Sequence, residues 1–215
     1  MNDPGNPGEP VYHKLDERRG KALSGRFGEI FTTMTDIRHN LLELLANYPV
    51  SGQADIERLR EFTGLVASDE TACQRDRLEG HLTGSAWVVS ADGRKALLMH
   101  HRKLDRWLQP GGHADGDWDL AAVALREAME ETGLPNLHVE PAIFDLDKHR
   151  IPARGTEPEH WHYDVRFVVR ATGSQEFSGN TESWQLRWFD VHQLAQNDEL
   201  DESIRRMAQR WLQRS

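Results

Sequence analysis

Residues 111–134, Gly-Gly-His-Ala-Asp-Gly-Asp-Trp-Asp-Leu-Ala-Ala-Val-Ala-Leu-Arg-Glu-Ala-Met-Glu-Glu-Thr-Gly-Leu, constrain the fold more than any other stretch of this chain. The pair Gly111-Gly112 predicts a turn, and the Leu/Ala-rich run behind it predicts a helix over 118–132. Gly133 then closes the helix, because glycine accepts the left-handed backbone that helix C-termini adopt. Within the helix Glu127, Glu130 and Glu131 stand at i, i+3 and i+4 and share one side, since each residue advances the face by about 100°. Ala121, Leu125, Ala128 and Met129 fall on the other side and are expected to pack. Clustered carboxylates repel each other, so holding three together makes chemical sense when a hard divalent cation neutralises them. Composition alone would favour a plain solvated acidic face.

The order of residues speaks against the plain face. Gly112 followed by Arg126-Glu127-Ala128-x-Glu130-Glu131-x-Gly133-Leu134 resembles the Nudix box, a glycine, a spaced glutamate, and then Arg-Glu-apolar-x-Glu-Glu-x-Gly-apolar. One specified position differs: the first glutamate of the pattern falls at 118, where this chain has Trp118. The resemblance extends over residues 80–195, although only the box is diagnostic. It implies a Nudix-like α/β (α+β) fold, a mixed-sheet helix–sheet–helix sandwich. It also implies a diphosphohydrolase (pyrophosphatase) that cleaves a phosphoanhydride bond in a nucleoside diphosphate linked to another group.

By the same resemblance the cofactor is Mg²⁺, with Mn²⁺ as a substitute. Its ligands would be Glu127, Glu130, Glu131 and the backbone carbonyl of Gly111, and these glutamates are the catalytic candidates. Members of the family often recruit a further acid from the loop before the last strand; Glu182 is the candidate, with Glu176 behind it. The glutamate missing at 118 pairs with the box arginine in the family, so Asp117 or Asp119 is expected to hold Arg126 here. An Arg126–Glu130 pair at i, i+4 is the other option.

A net charge of −9 argues against a nucleic-acid-binding surface. No apolar run approaches the ~20 residues of a membrane span, and no signal-peptide pattern opens the chain. The single cysteine, Cys73, excludes an internal disulfide framework and a cysteine-rich zinc site. The expectation is a soluble cytoplasmic protein acting on a small diphosphate, a nucleotide by the resemblance, with no membrane or stable nucleic-acid partner. A homodimer is compatible with this.

The chain divides into a Pro/Gly-rich flexible tail over 1–25, a helical extension over 26–78 and the catalytic domain over 79–215. In the extension Ile37, Leu41, Leu44 and Leu45 follow helical spacing up to Pro49, and Ile56, Leu59, Phe62 and Leu65 mark a second helix. From 82 the pattern changes to strands. Ala91-Asp92-Gly93 joins 82–90 to 95–101 as a hairpin, and 107–109, 137–147, 160–170 and 184–189 are further strands. Residues 152–159 read as a loop. Leu200, Ile204, Met207, Ala208 and Trp211 predict a closing amphipathic helix.

A second informative segment is His160-Trp161-His162-Tyr163-Asp164-Val165-Arg166-Phe167. Strand alternation puts His160, His162, Asp164 and Arg166 on one face. That face is either simply wet, or a polar wall of the substrate cleft, or an additional metal site using two imidazoles. His113 and His149 raise the local histidine density, and His113 either structures the loop or touches phosphate. Arg102, Lys103 and Arg106 lie upstream of the glycine pair, and Arg102 is the candidate phosphate contact. Trp184, Trp188, Trp161 and Tyr163 either stack a base or fill core.

Two other functions remain open. A non-catalytic nucleotide-binding relative is kept in view by Trp118. The segment from Leu97 to Gly112 also resembles isopentenyl diphosphate isomerase, but that enzyme has a cysteine where this chain has Gly112, which argues against it.

Overall fold

Ala91–Arg94 turns the chain between β1 (Gly80–Ser90) and β2 (Lys95–His101), with Gly93 at φ 70 as the hairpin turn demands. The structure, a computed structural model, describes residues 34–102, 104–177 and 183–214. The expected tail over 1–25, Lys103 and Glu182 lie outside the described residues. Two helices precede the hairpin, α1 (Met34–Ala46) and α2 (Gln53–Ser68). After it come β3 (Arg106–Leu108), β4 (Gly111–His113), α3 (Leu120–Thr132), β5 (Leu137–Ile151), β6 (His160–Ala171), β7 (Ser183–Asp190), α4 (Val191–Gln196) and α5 (Glu202–Leu212). This is a mixed α/β architecture, as the spacing of apolar residues predicts.

The sheet runs β3-β2-β1-β6-β5, with β4 also pairing β1 and β7 pairing β2. β1 and β6 are parallel, and the other pairings are antiparallel. Strands with both faces covered read as nearly continuous buried runs, and β1 is buried along its whole length. On one side Leu82, Val88 and Phe167 share a core with Leu41 and Leu45 of α1, Phe62 and Val66 of α2, and Val123 of α3. On the other side Trp87, Val89 and Val168 pack against Ile204 and Met207 of α5. The helical extension is therefore part of the core packing, with Phe62 edge-on to Tyr163 at 5.4 Å between ring centroids.

The glycine pair departs from expectation. Gly111 and Gly112 form strand rather than turn, opposite Ser85 and Gly84 of β1. The reason is close approach. A Cβ on Gly111 would stand 2.7 Å from Ser85 Cβ, and one on Gly112 would stand 2.6 Å from Glu127 Cδ. The turn comes later, at Asp115 (φ 50) and Gly116 (φ 89).

The helix also begins later than 118. Asp119 caps α3 by accepting from Ala122 N–H at 3.0 Å. Trp118 lies ahead of it, 5% exposed, inside the core shared with α1 and α2. Met129, expected to pack, is 54% exposed. It turns about 100° past the buried Ala128, onto the solvent edge of the helix.

Candidate functional site

The core on the α5 side of the sheet changes character toward the start of β1. Register places His81, Thr83 and Ser85 beside His162, Asp164 and Arg166 of β6. Asp145, Asp147 and His149 of β5 continue the rows, and His113 of β4 lies opposite Thr83. This face is polar and dry. Asp164 is 1% and Arg166 2% exposed, so the wet-face expectation for 160–166 fails.

Burial on that scale requires every polar group to find a partner. Asp164 accepts from Thr83 Oγ1 at 2.9 Å, Ser85 Oγ at 2.7 Å, Gln109 Nε2 at 3.3 Å and Arg166 Nε at 2.7 Å. The Arg166 guanidinium also meets Asp145 and Asp147, each at 3.2 Å. Arg206 of α5 closes the network with 2.7 Å contacts to both aspartates. Burial pushes the Asp147 carboxyl up, yet Arg166, His149 and Arg206 outweigh it and hold the group far below the usual range. The network pins α5 to β5 at the sheet edge.

The carboxylates of α3 reach that strand from its other side. Glu131 is buried and its Oε2 accepts from Gly111 N–H at 3.0 Å. Glu127 is half-buried against Gly112, in space that any side chain at 112 would take. Glu130 is exposed. Burial raises the Glu127 carboxyl above its ordinary value against the opposing pull of Arg126.

Arg126 bonds Glu127 Oε1 at 3.0 Å and the His113 carbonyl at 3.3 Å. The expectation that Asp117, Asp119 or Glu130 would hold it is corrected accordingly. Asp119 is engaged as the helix cap, and Asp117 accepts from Asp119 N–H at 2.9 Å.

Beside the glycine strand, five imidazoles cluster. His81 lies 5.0–5.1 Å, centroid to centroid, from His113, His160 and His162. His149 is 5.5 Å from His162. Burial, reinforced by neighbouring positive charge, lowers His113 to about 4 and His162 to about 2, and it lowers His81 as well. Sequence reading singled out His113, His149, His160 and His162 and missed His81. Its signal was the polar alternation His81-x-Thr83-x-Ser85 inside an otherwise apolar strand.

The remaining candidates are spread out. Arg102 is exposed after β2, its guanidinium 4.3 Å from the Trp184 ring centroid. Arg106 faces Asp201 at 3.8 Å. Glu176 is exposed. Tyr163 packs on Phe62, while Trp161 lies beneath Lys148 at 4.9 Å. Cys73, the only cysteine, is buried and its thiol is pushed up to about 12, so it offers no nucleophile. Surface depressions of about 700 and 470 Å³ lie beside the hairpin turn and the start of α2, and neither includes a box carboxylate or a clustered histidine.

Among the described residues no helix is long and apolar enough to cross a membrane.

The family model described as NUDIX domain matches residues 81–211. A Mycobacterium tuberculosis protein provisionally named 8-oxo-dGTP diphosphatase 3 is 31% identical over 111 residues, 48% of each chain. A Chlorobium chlorochromatii protein named ribosomal RNA small subunit methyltransferase H is 25% identical over 146 residues, 64% of this chain and 43% of its own. The chain thus spans about half the length of the curated relatives it matches. Among solved structures, a C. elegans Ap4A hydrolase superposes at TM-score 0.49 and 14% identity, over 61% of this chain and 95% of that one.

Proposed function

The chain belongs to the Nudix family, and we propose that it is a metal-dependent diphosphohydrolase of the cytoplasm. Its substrate would be a nucleoside diphosphate linked to a second group, cleaved at the phosphoanhydride. The observation that carries this reading is the docking of Glu131 on Gly111 N–H and of Glu127 against Gly112. Two of the three box carboxylates are thereby gathered onto one strand.

The residues fit a hard divalent cation. Three carboxylates on successive turns of one helix supply oxygen ligands, and the missing side chain at Gly112 leaves Glu127 room beside the strand. Glu127, Glu130, Glu131 and the Gly111 carbonyl would hold Mg²⁺ or Mn²⁺. When bound, the ion neutralises diphosphate charge and lowers the pKa of an attacking water. The protein's own part is positional. Arg126 fixes Glu127 and ties α3 to β4 through the His113 carbonyl. A box carboxylate would accept the water's proton, and Arg102, His113, His160 and His162 are the candidates for substrate contact.

Trp118 does not weaken this reading. Its ring fills core 5.5 Å from Arg38, and Arg126 has its partner in Glu127. The test is hydrolysis of a panel with and without Mg²⁺: 8-oxo-dGTP and other nucleoside triphosphates, ADP-ribose, sugar nucleotides, dinucleoside polyphosphates and non-nucleoside diphosphates. Binding without turnover on every compound would favour a non-catalytic nucleotide-binding role instead.

A further inference from the structure

The histidine cluster contains two buried nitrogens without partners among the described residues, His81 Nε2 and His113 Nε2. His81 is 1% exposed. A buried polar atom left unmatched is destabilising, so each of the two calls for a partner. Together with His162, one ring nitrogen from each residue lies within 4.8 Å of the other two.

The second ring nitrogens show which lone pairs are available. A carbonyl only accepts, so the contact of His81 Nδ1 with the Arg77 carbonyl at 3.4 Å puts the proton on Nδ1 and the lone pair on the orphaned Nε2. His160 Nδ1 contacts the Pro158 carbonyl at 2.9 Å, which makes its Nε2 an acceptor. That acceptor lies 3.2 Å from His162 Nε2, so His162 donates there and keeps its lone pair on Nδ1. A second partner that fixes the tautomer of each ligand is the usual support of a metal-bound imidazole.

We propose that His81, His113 and His162 form a three-imidazole site for a borderline divalent cation of the zinc class, distinct from the carboxylate cluster. His160 is its positioning residue. Imidazoles suit zinc, whereas magnesium prefers oxygen ligands. Three histidines leave a fourth tetrahedral position for water or a substrate oxygen. Zn–N bonds of 2.0–2.1 Å separate ligand nitrogens by about 3.3 Å, so side-chain movement of about 1 Å closes the site. The three residues come from adjacent strands of one sheet, β4, β1 and β6, which fixes their backbones without any loop having to fold. The site stands whether or not the chain hydrolyses diphosphates.

The test is calorimetric titration of chelator-treated full-length protein with ZnCl₂ in excess Mg²⁺, which occupies oxygen sites. One zinc per chain is expected. His81→Asn weakens the zinc constant by ~10²-fold or more, the share of one ligand in a structural zinc site. The double variant Glu127→Gln/Glu131→Gln keeps it. No zinc uptake by the wild type, or equal uptake by His81→Asn, overturns the site. If His81→Asn does not fold, the wild type decides by NMR. One equivalent of zinc must shift the ring-proton resonances of these three histidines; unchanged resonances overturn the proposal.

Discussion

Glu131 Oε2 accepts a hydrogen bond from Gly111 N–H at 3.0 Å, so the last carboxylate of α3 is anchored to the first residue of the glycine strand. A carboxylate held by a backbone amide is placed before any ligand arrives, and preorganised charge is what makes such groups effective in catalysis.

The two glycines of that strand should fail differently. Gly111→Ala drives a methyl into Ser85, including its backbone at 2.9 Å, and separates β4 from β1. It should cost about 1–3 kcal/mol in urea unfolding. For Gly112→Ala the nearest atoms are the end of the flexible Glu127 side chain. It should leave unfolding nearly unchanged and lower diphosphate hydrolysis at least ~10-fold as the carboxylate moves. Equal stability losses in the two variants would contradict this.

Trp118 is a core residue in the position of a missing acid. Trp118→Ala should cost about 3–5 kcal/mol. Trp118→Glu, which restores the family pattern, should cost at least as much and bring no gain in kcat/KM, because Arg126 already pairs with Glu127. A tenfold gain would show that the site lacks a carboxylate there.

Asp55 joins α2 to α5 through Arg210 at 2.7 Å, and it also bonds Arg58 at 2.7 Å and Ser51 Oγ at 2.7 Å. Burial pushes its carboxyl up, but hydrogen bonds from Arg58, Ser51 and Arg210 together hold it well below the usual range. The unfolded carboxyl titrates near ~3.9. The contribution is therefore complete from about pH 5 upward and is lost gradually as pH falls from there toward the much lower value of the folded carboxyl. Asp55→Asn should destabilise by about 3 kcal/mol at pH 7 and by a smaller amount at pH 3, where the native carboxyl is still ionised but part of the difference from the unfolded chain is already lost. A loss of equal size at both values would contradict the ion-pair account.

The order Gly112, Arg126, Glu127, Glu130, Glu131 is local, so the helix, its closure at Gly133 and its carboxylate face were legible in the sequence, whereas the Asp119 cap was not. So were the hairpin and the closing helix, whose apolar spacing is periodic. What sequence could not supply was register. Nothing local says that Thr83 lies beside Asp164 or His81 beside His162, since β1 and β6 are parallel neighbours far apart in the chain. The dryness of the 160–166 face followed from α5 supplying Arg206, an interaction across 59 and 61 residues. The glycine pair was misread because glycine marks both turns and close approaches, and only the neighbours Ser85 and Glu127 distinguish them.

The central claim is tested most directly by following Mg²⁺-dependent release of phosphate or nucleoside monophosphate from the diphosphate panel, comparing wild type with Glu131→Gln. The account predicts turnover of at least one nucleoside diphosphate derivative by the wild type, its loss on chelation, and a decrease of ~10²-fold or more in the variant. Near-full activity in Glu131→Gln, or no turnover of any compound by the wild type with metal present, would contradict it.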